Sequence, residues 1–239
     1  MPIITKYRTQ DTEIMDDFSL QGEELRDALD KIANINQLLG GNSLTLHGVK
    51  QLLNKGKGSI PRTVTIADIG CGNGDMLRML ARYGKKHSVS FKLIGVDANE
   101  FTINYARSLS VDYLNIDYRC LDIFSADFTT LKYDIAICTL TLHHFTDEEI
   151  ENIIITFNNN AAVGVVINDL HRSKAAYMLF KVICSLFKLN RMSREDGLVS
   201  ILRGFKKQEL IDFSKKLNLK KYTINWKWAF RYQWIIAKQ

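Results

Sequence analysis

Residues 65–75 read TIADIGCGNGD. An apolar run through Ile66 and Ile69 leads into glycines at alternate positions, Gly70, Gly72 and Gly74, and Asp75 opens a helical pattern that continues to His87. Strand, glycine turn and helix in that order mark the point in an open α/β sheet where backbone and ligand come closest, because a Cβ at the turn would take up the ligand's space. The dinucleotide fingerprint is G-x-G-x-x-G, with its third glycine on the helix. Here the spacing is G-x-G-x-G. Asp68 stands two residues ahead of the first glycine, where a carboxylate would repel a pyrophosphate and suit a cation. No Gly-Lys-Ser/Thr follows, so the Walker phosphate loop is excluded as well.

Working outward from the turn, compact strands alternate with helices. TVTIADI, KLIGVD, DYRCLDI, YDIAICTL and GVVIND read as strands, and all but the third are rich in Val and Ile, as parallel strands covered on both faces tend to be. Helices are expected over 75–87, 100–110 and 146–158, the last opening with Thr146 and Glu149 at capping-box spacing. Near the end, Tyr222 to Lys227 and Tyr232 to Ala237 are β-rich runs too close together to pair other than as an antiparallel hairpin. The expected fold class is therefore α/β, a doubly wound, mostly parallel, seven-stranded sheet with an antiparallel C-terminal strand. Ahead of it, residues 21–39 place Leu25, Leu29, Ile32 and Leu39 at helical spacing before Gly40 and Gly41, and a second helix spans about 43–54. KGKGSIPR then reads as a connector. This organisation predicts an N-terminal helical cap over 1–60 and a ligand-binding domain over 61–239.

Length and composition agree with one or at most two domains: 239 residues, 46% of them hydrophobic, can bury a normal core. The formal charge of +6 gathers toward the C-terminus, with ten Lys or Arg against two acids from Arg203 onward. A solvated rim accounts for that more simply than a nucleic-acid face. Cys71, Cys120, Cys138 and Cys184 lie far apart without a C-x-x-C spacing and read as reduced thiols. No apolar run approaches the roughly 20 residues of a membrane span, and MPIITKYRTQ has neither signal-peptide nor transit-peptide character. The expected location is cytoplasmic, with no stable membrane insertion.

Two further carboxylates define the ligand. Asp97 closes the second strand at the distance downstream where an acidic group meets ribose hydroxyls. Asp122 follows the third strand and is placed to accept from an exocyclic amine. A glycine turn with three acids describes a nucleoside without phosphate that carries positive charge. With DIGCGNGD, GVDAN, RCLDIF and YDIAICTLTLHHF in that order, residues 63–239 resemble the class I S-adenosylmethionine-dependent methyltransferases, which have a Rossmann-like fold with a reversed last strand. The resemblance implies that the cofactor is S-adenosyl-L-methionine. It also implies that Gly70, Cys71 and Gly72 pack on its methionine part beside Asp68, that Asp97 with Ala98 holds the ribose, that Asp122 and Ile123 flank the adenine, and that Thr139 borders it.

Methyl transfer from a sulfonium is an in-line displacement on an activated carbon, so alignment of the nucleophile matters most, and a base helps where the acceptor is a hydroxyl. LTLHHF offers His143 and His144 where the fourth strand ends, and NDLHR offers His171 and Arg172 where the fifth does. Neighbouring residues leaving a strand diverge, so one histidine of the pair is expected in the pocket, with His143 favoured, while the other packs. His171 reads as base or substrate ligand, and Arg172 as a partner for an acidic or carbonyl group. No His and Cys set stands at metal-ligand spacing, so no metal is expected. AAYMLFKVICSLFKL, 175–189, is apolar apart from Lys181 and Lys188 and reads as a lid helix (about 173–190) over a lipophilic pocket, or alternatively as a core helix.

Within the family, LHHF, NDLHR and REDGLVSILRGFKKQEL resemble small-molecule methyltransferases of the quinone-biosynthesis type and those encoded beside type III polyketide synthases. That narrower resemblance implies an enzyme that O-methylates an aromatic or polyketide-like hydroxyl compound. C-methylation of a quinone-type ring and cofactor binding without catalysis are the alternatives. The loop after the fourth strand lacks the Asn-Pro-Pro-Tyr type sequence of base-amine methyltransferases, so the expected partner is a small lipophilic molecule and not nucleic acid. A homodimer is compatible with the sequence.

Overall fold

In a computed structural model, the structure describes residues 3–55 and 63–238. Seven strands, β1 (Val64–Ile69), β2 (Phe91–Asp97), β3 (Ile116–Cys120), β4 (Tyr133–Thr139), β5 (Ala161–Leu170), β6 (Tyr222–Lys227) and β7 (Arg231–Ala237), form one sheet in the order β3-β2-β1-β4-β5-β7-β6. β1 to β5 are parallel, and β7 runs antiparallel between β5 and β6. The continuous apolar character of β1, β4 and β5 follows from cover on both faces: side chains alternate between two cores, with Ile66 in one and its neighbour Ala67 in the other. β3 is an edge strand, and its exposed Asp117 and Arg119 pair with each other at 2.9 Å, which blunts that edge.

Helices cover both faces. On one, α2 (Gly41–Lys55), α3 (Asp75–His87) and α4 (Glu100–Ser108) contribute Leu52, Leu77 and Ile103 to a core with Ile66 and Leu93. On the other, α5 (Ala126–Thr130), α6 (Asp147–Asn160) and α9 (Lys207–Lys216) contribute Phe128, Phe157 and Phe213 around the fully buried Trp234. The capping box opening α6 forms as its spacing predicts: Thr146 Oγ1 accepts from the Glu149 amide and Glu149 Oε2 from the Thr146 amide, at 3.3 and 2.8 Å.

Over the C-terminal ends of the strands lie α1 (Glu23–Leu38), α7 (Lys174–Leu186) and α8 (Arg191–Arg203). The two N-terminal helices therefore part company: α1 reaches over the sheet end, whereas α2 packs on the sheet through Val49 and Leu52 and belongs to the core. The connector expected to separate the two regions falls at 56–62, outside the described residues. Ahead of α1, a strap over residues 5–20, with one 3-10 turn at Ile14–Asp16, crosses toward the ends of β4 and β5. Arg8 anchors it, donating to the carbonyls of His143 and Phe145 and pairing with Asp147 at 2.6 Å.

Candidate active site

A cavity of about 670 Å³ opens beyond the C-terminal ends of β1, β2 and β4, where ligands of doubly wound sheets bind. The glycine turn forms its floor, and all three glycines have left-handed φ values, +72°, +51° and +77°. Their reasons differ. A Cβ at Gly70 would stand 2.2 Å from Thr141 Oγ1, and one at Gly74 would stand 2.0 Å from the Tyr118 hydroxyl, so these two make room for the protein itself. A Cβ at Gly72 would meet nothing nearer than Leu29 Cδ2 at 3.8 Å and would project into open cavity. Of the three, Gly72 alone keeps cavity space clear.

Asp97 closes the floor. Its Oδ2 accepts from the Gly72 amide and its Oδ1 from the Asn99 amide, each at 3.1 Å. Burial raises the Asp97 carboxyl above its ordinary value despite these bonds. Asp68 is raised much further, by burial and then by the charges of Asp75 and Asp97. The three carboxyl groups line one floor, which suits a positively charged or hydroxyl-donating ligand.

Other expected cofactor residues lie around the same space. Cys71, Ala98 and Ile123 line the cavity, and Asp122 stands at its mouth, exposed, with Oδ1 accepting from the Phe124 amide at 2.8 Å. Thr139 turns its hydroxyl toward α2, bonding Thr45 Oγ1 at 2.9 Å, so that position contributes to the wall with its hydroxyl engaged elsewhere. Asn99, absent from the sequence expectation, ties floor to roof: its Oδ1 caps α4 at the Thr102 amide while Nδ2 donates to the carbonyls of Phe18 and Leu20 in the strap.

The opposite end of the cavity is built by the turn after β4. Residues 142–144 form a single 3-10 turn, so the chain does not leave β4 extended. The expected divergence of His143 and His144 fails for that reason: their rings stack with centroids 4.4 Å apart, and both border the cavity. His143 is 2% exposed and its Nδ1 lies 2.6 Å from Asp169 Oδ1, while Asp169 Oδ2 accepts from the His143 amide at 3.2 Å. Burial alone would raise Asp169, but the charge and hydrogen bond of His143 outweigh it and hold the carboxyl below its ordinary value. With Nδ1 at Asp169, Nε2 points the other way, toward Glu13. It has no hydrogen-bond partner among the described residues, and Glu13 Oε1, likewise unpartnered, faces it at 3.6 Å.

Glu13 and Asp16 arrive on the strap. Glu13 Oε2 accepts from Ser200 Oγ at 2.6 Å, and burial pushes its carboxyl up to about 7. Asp16 Oδ1 lies 2.6 Å from His144 Nδ1. Its burial is outweighed by the bonds from His144, from the Glu13 amide and from Arg203, and its carboxyl is lowered. Spacing offered no metal-ligand set, yet Glu13, His143 and His144 bring one donor atom each to within 4.8 Å of one another.

Two expected residues take other roles. Arg172 is fully buried and lies away from the cavity: it pairs with Glu209 of α9 at 2.5 Å and donates to the carbonyls of Thr5, Lys6 and Gly204. It latches the strap to the sheet, and no substrate reaches it. His171 borders the cavity, but its Nδ1 accepts from Trp226 Nε1 at 3.2 Å and its pKa is lowered by burial, Lys206 and Arg172. The other nitrogen of that neutral ring is a donor, which suits contact with a carbonyl better than proton abstraction.

The lid reading of 173–190 fits the placement of α7, whose Ala176, Phe180 and Ile183 line the cavity while Met178, Val182 and Leu186 stay exposed. Sequence reasoning missed Glu13, Asp16, Asp169 and Arg203. Asp169 was within reach, since it lies in the same NDLHR stretch as His171. Glu13 and Asp16 carried no signal beyond the acidity of DTEIMDD.

Residues 66–164 match the family model of the methyltransferase domain. The chain is similar to a putative methyltransferase, 235L, of Invertebrate iridescent virus 6 (27% identity over 142 residues, 57% of this chain and 51% of that protein). It is also similar to the ubiquinone biosynthesis O-methyltransferase of Coxiella burnetii, 32% identical over 85 residues, 35% of this chain and 34% of that one. This chain thus spans about half or less of the length of these curated relatives. Among solved structures, plantazolicin methyltransferase BamL in complex with a triazolic desmethyl analogue and SAH superposes with a TM-score of 0.66 at 14% identity, covering 88% of this chain and 90% of that one. Magnesium protoporphyrin IX methyltransferase of Synechocystis PCC 6803 with bound SAH gives 0.55 at 18% identity, covering 84% of each. At such identities the likeness is one of fold, the seven-stranded Rossmann-like methyltransferase sheet.

Proposed function

We propose that this chain, which carries a class I S-adenosylmethionine-dependent methyltransferase domain, methylates a hydroxyl oxygen of a small lipophilic molecule, aromatic or polyketide-like. S-Adenosylmethionine supplies, when bound, a methyl group on a sulfonium already activated for displacement. What supports it is the floor: Gly72 keeps space clear, Asp97 would accept from ribose hydroxyls, Asp68 and Asp75 line the same floor, and Asp122 and Ile123, bordering that space, would flank the adenine.

One observation supports a hydroxyl acceptor above all. In a cavity walled by Leu25, Leu29, Ile32, Leu179, Phe180 and Ile183, the far end holds two buried polar atoms without a hydrogen-bond partner among the described residues, Glu13 Oε1 and His143 Nε2. Buried polar atoms left unpaired cost about 1–3 kcal/mol each, and a hydroxyl held there would pair with one while losing its proton to the cluster. Asp169 orients His143 for that role, and the Arg8 and Arg203 bonds to the His143 carbonyl hold the turn in place. The apolar walls orient a lipophilic body, and α7 excludes water.

Incubation with labelled S-adenosylmethionine and a panel of phenols and long-chain hydroxyl compounds, with products identified by mass spectrometry, tests the reading. O-methylated product that disappears in His143→Ala, with cofactor product still bound, is the expected result. Methyl transfer only to carbon or nitrogen acceptors, or none at all, would reject it.

A further inference from the structure

The corner between Glu13 and His143 gathers donors that metal ions use, two of them without a hydrogen-bond partner among the described residues. At 3.6 Å, Glu13 Oε1 and His143 Nε2 are too far apart for a hydrogen bond, and both atoms are buried without a partner among the described residues. His144 Nδ1 enters the same space 3.8 Å from Glu13 Oε1, and all three donors lie within 4.8 Å of one another. Bonds of about 2.0–2.2 Å from imidazole and carboxylate to one ion close such a triangle with a small contraction.

We propose that Glu13, His143 and His144 bind a divalent transition-metal ion of the zinc class, with Asp16 as a further oxygen donor. The surroundings are those of a metal site. Asp169 accepts from His143 Nδ1, which leaves Nε2 free to ligate and fixes the ring as carboxylates behind metal-bound imidazoles do. Asp16 Oδ1 contacts His144 Nδ1 without an ion, while Asp16 Oδ2 is held by Arg203 and the Glu13 amide. An ion replaces the proton between His144 and Asp16 and takes up both. Charge agrees: three carboxyl groups, of Glu13, Asp16 and Asp169, meet at this corner beside the one guanidinium of Arg203, a surrounding that suits a cation. That guanidinium hydrogen-bonds Asp16 and the carbonyls of Asp11, His143 and His144, and its Nε lies 3.9 Å from Glu13 Oε1. Arg8, the next cation, is paired with Asp147.

Glu13, His143 and His144 fill three positions of a tetrahedral ion, and the fourth is shared between Asp16 and a hydroxyl entering from the cavity, which displaces it. The ion's catalytic role, though not its binding, rests on the methyltransferase reading, and with the ion bound His143 serves as a ligand, the ion taking over the activation of the hydroxyl. A hydroxyl bound to the ion loses its proton to solvent at neutral pH. As the C–O bond forms the C–S bond breaks, its electron pair remaining on a neutral sulfide.

Titration of the full-length, chelator-treated protein with cobalt(II), followed by visible absorption, tests the site. One equivalent should bind and give a ligand-field band. Glu13→Gln, His143→Asn and His144→Asn should each weaken binding at least tenfold, whereas His171→Asn should leave it unchanged. Titration with S-adenosylhomocysteine, whose floor lies at Gly72 and Asp97, reports whether each variant is folded, and zinc-edge anomalous scattering from soaked crystals locates the ion independently of any variant. Absence of a stoichiometric band, a band that survives Glu13→Gln, or an anomalous peak elsewhere would overturn the metal site. If the wild-type chain failed to bind S-adenosylhomocysteine, the methyltransferase reading would fall, and cobalt binding would still decide the ion.

Discussion

Asp169 and His143, at the ends of neighbouring strands, are joined by a 2.6 Å contact between Oδ1 and Nδ1. That bond decides which imidazole nitrogen faces Glu13. Replacing Asp169 by Asn keeps the shape and removes the charge that favours the proton on Nδ1. Asp169→Asn should lower kcat by about 100-fold, the scale of a positioned acid–base group, and leave S-adenosylhomocysteine affinity within twofold. Steady-state kinetics alongside calorimetric titration measures both; unchanged kcat would remove the pair from the reaction.

The three turn glycines should separate when each is changed to alanine. Gly74→Ala places a Cβ 2.0 Å from the Tyr118 hydroxyl and should cost stability through that clash, added to the roughly 1–2 kcal/mol of left-handed backbone strain. Gly72→Ala meets only the strain term in the protein, but its methyl enters the cavity. Thermal unfolding should therefore register Gly74→Ala more strongly, and cofactor affinity Gly72→Ala. The reverse ranking would mean that the ligand does not approach Gly72.

Asp97 makes cofactor binding pH-dependent. Burial raises its carboxyl in the free protein, so the folded state binds a proton more readily than the unfolded chain, and this group's contribution to stability falls as pH rises from the ordinary value of 3.8 through the raised one. A ligand that donates hydroxyls to the carboxylate, or brings positive charge near it, favours the ionised form. Affinity should rise with pH across the same window, with proton release on binding, detected by calorimetry in buffers of differing ionisation enthalpy. Asp97→Ala should abolish that release and weaken binding by about 1–3 kcal/mol.

Arg172 offers a test of position against chemistry. As a buried cation paired with Glu209, it is structural, and Arg172→Ala should lower stability by about 3 kcal/mol, the scale for leaving a buried pair broken. Denaturant unfolding measures the loss. A variant with wild-type stability but a raised KM would restore the substrate contact that its place in NDLHR suggested.

The glycine turn, the strands with apolar runs, the reversed hairpin and the α6 capping box were legible because each is a local matter. Left-handed backbone favours glycine within a few residues, and doubly covered strands are apolar along their length. Asp97 was legible too, from its place at the end of β2 and its spacing after the glycine turn. His143 and His144 were legible as candidates but not in their arrangement, since a single 3-10 turn, held by the Arg8 and Arg203 bonds to its carbonyls, decides that the rings stack and do not diverge.

By itself, then, the sequence determined a seven-stranded, mostly parallel sheet with a reversed last strand, and a glycine turn flanked by Asp68 and Asp97. Only the tertiary structure decided that Glu13 would lie beside His143, and that Arg172 would turn inward to Glu209 and leave the cavity to others. The reason is physical: the first set depends on dihedral preferences and burial periodicity along short stretches. The second depends on where a strap without regular structure of its own, apart from one turn, is pinned by Asp196, Arg203 and Arg172, partners roughly 160 to 195 residues away whose positions no local pattern encodes.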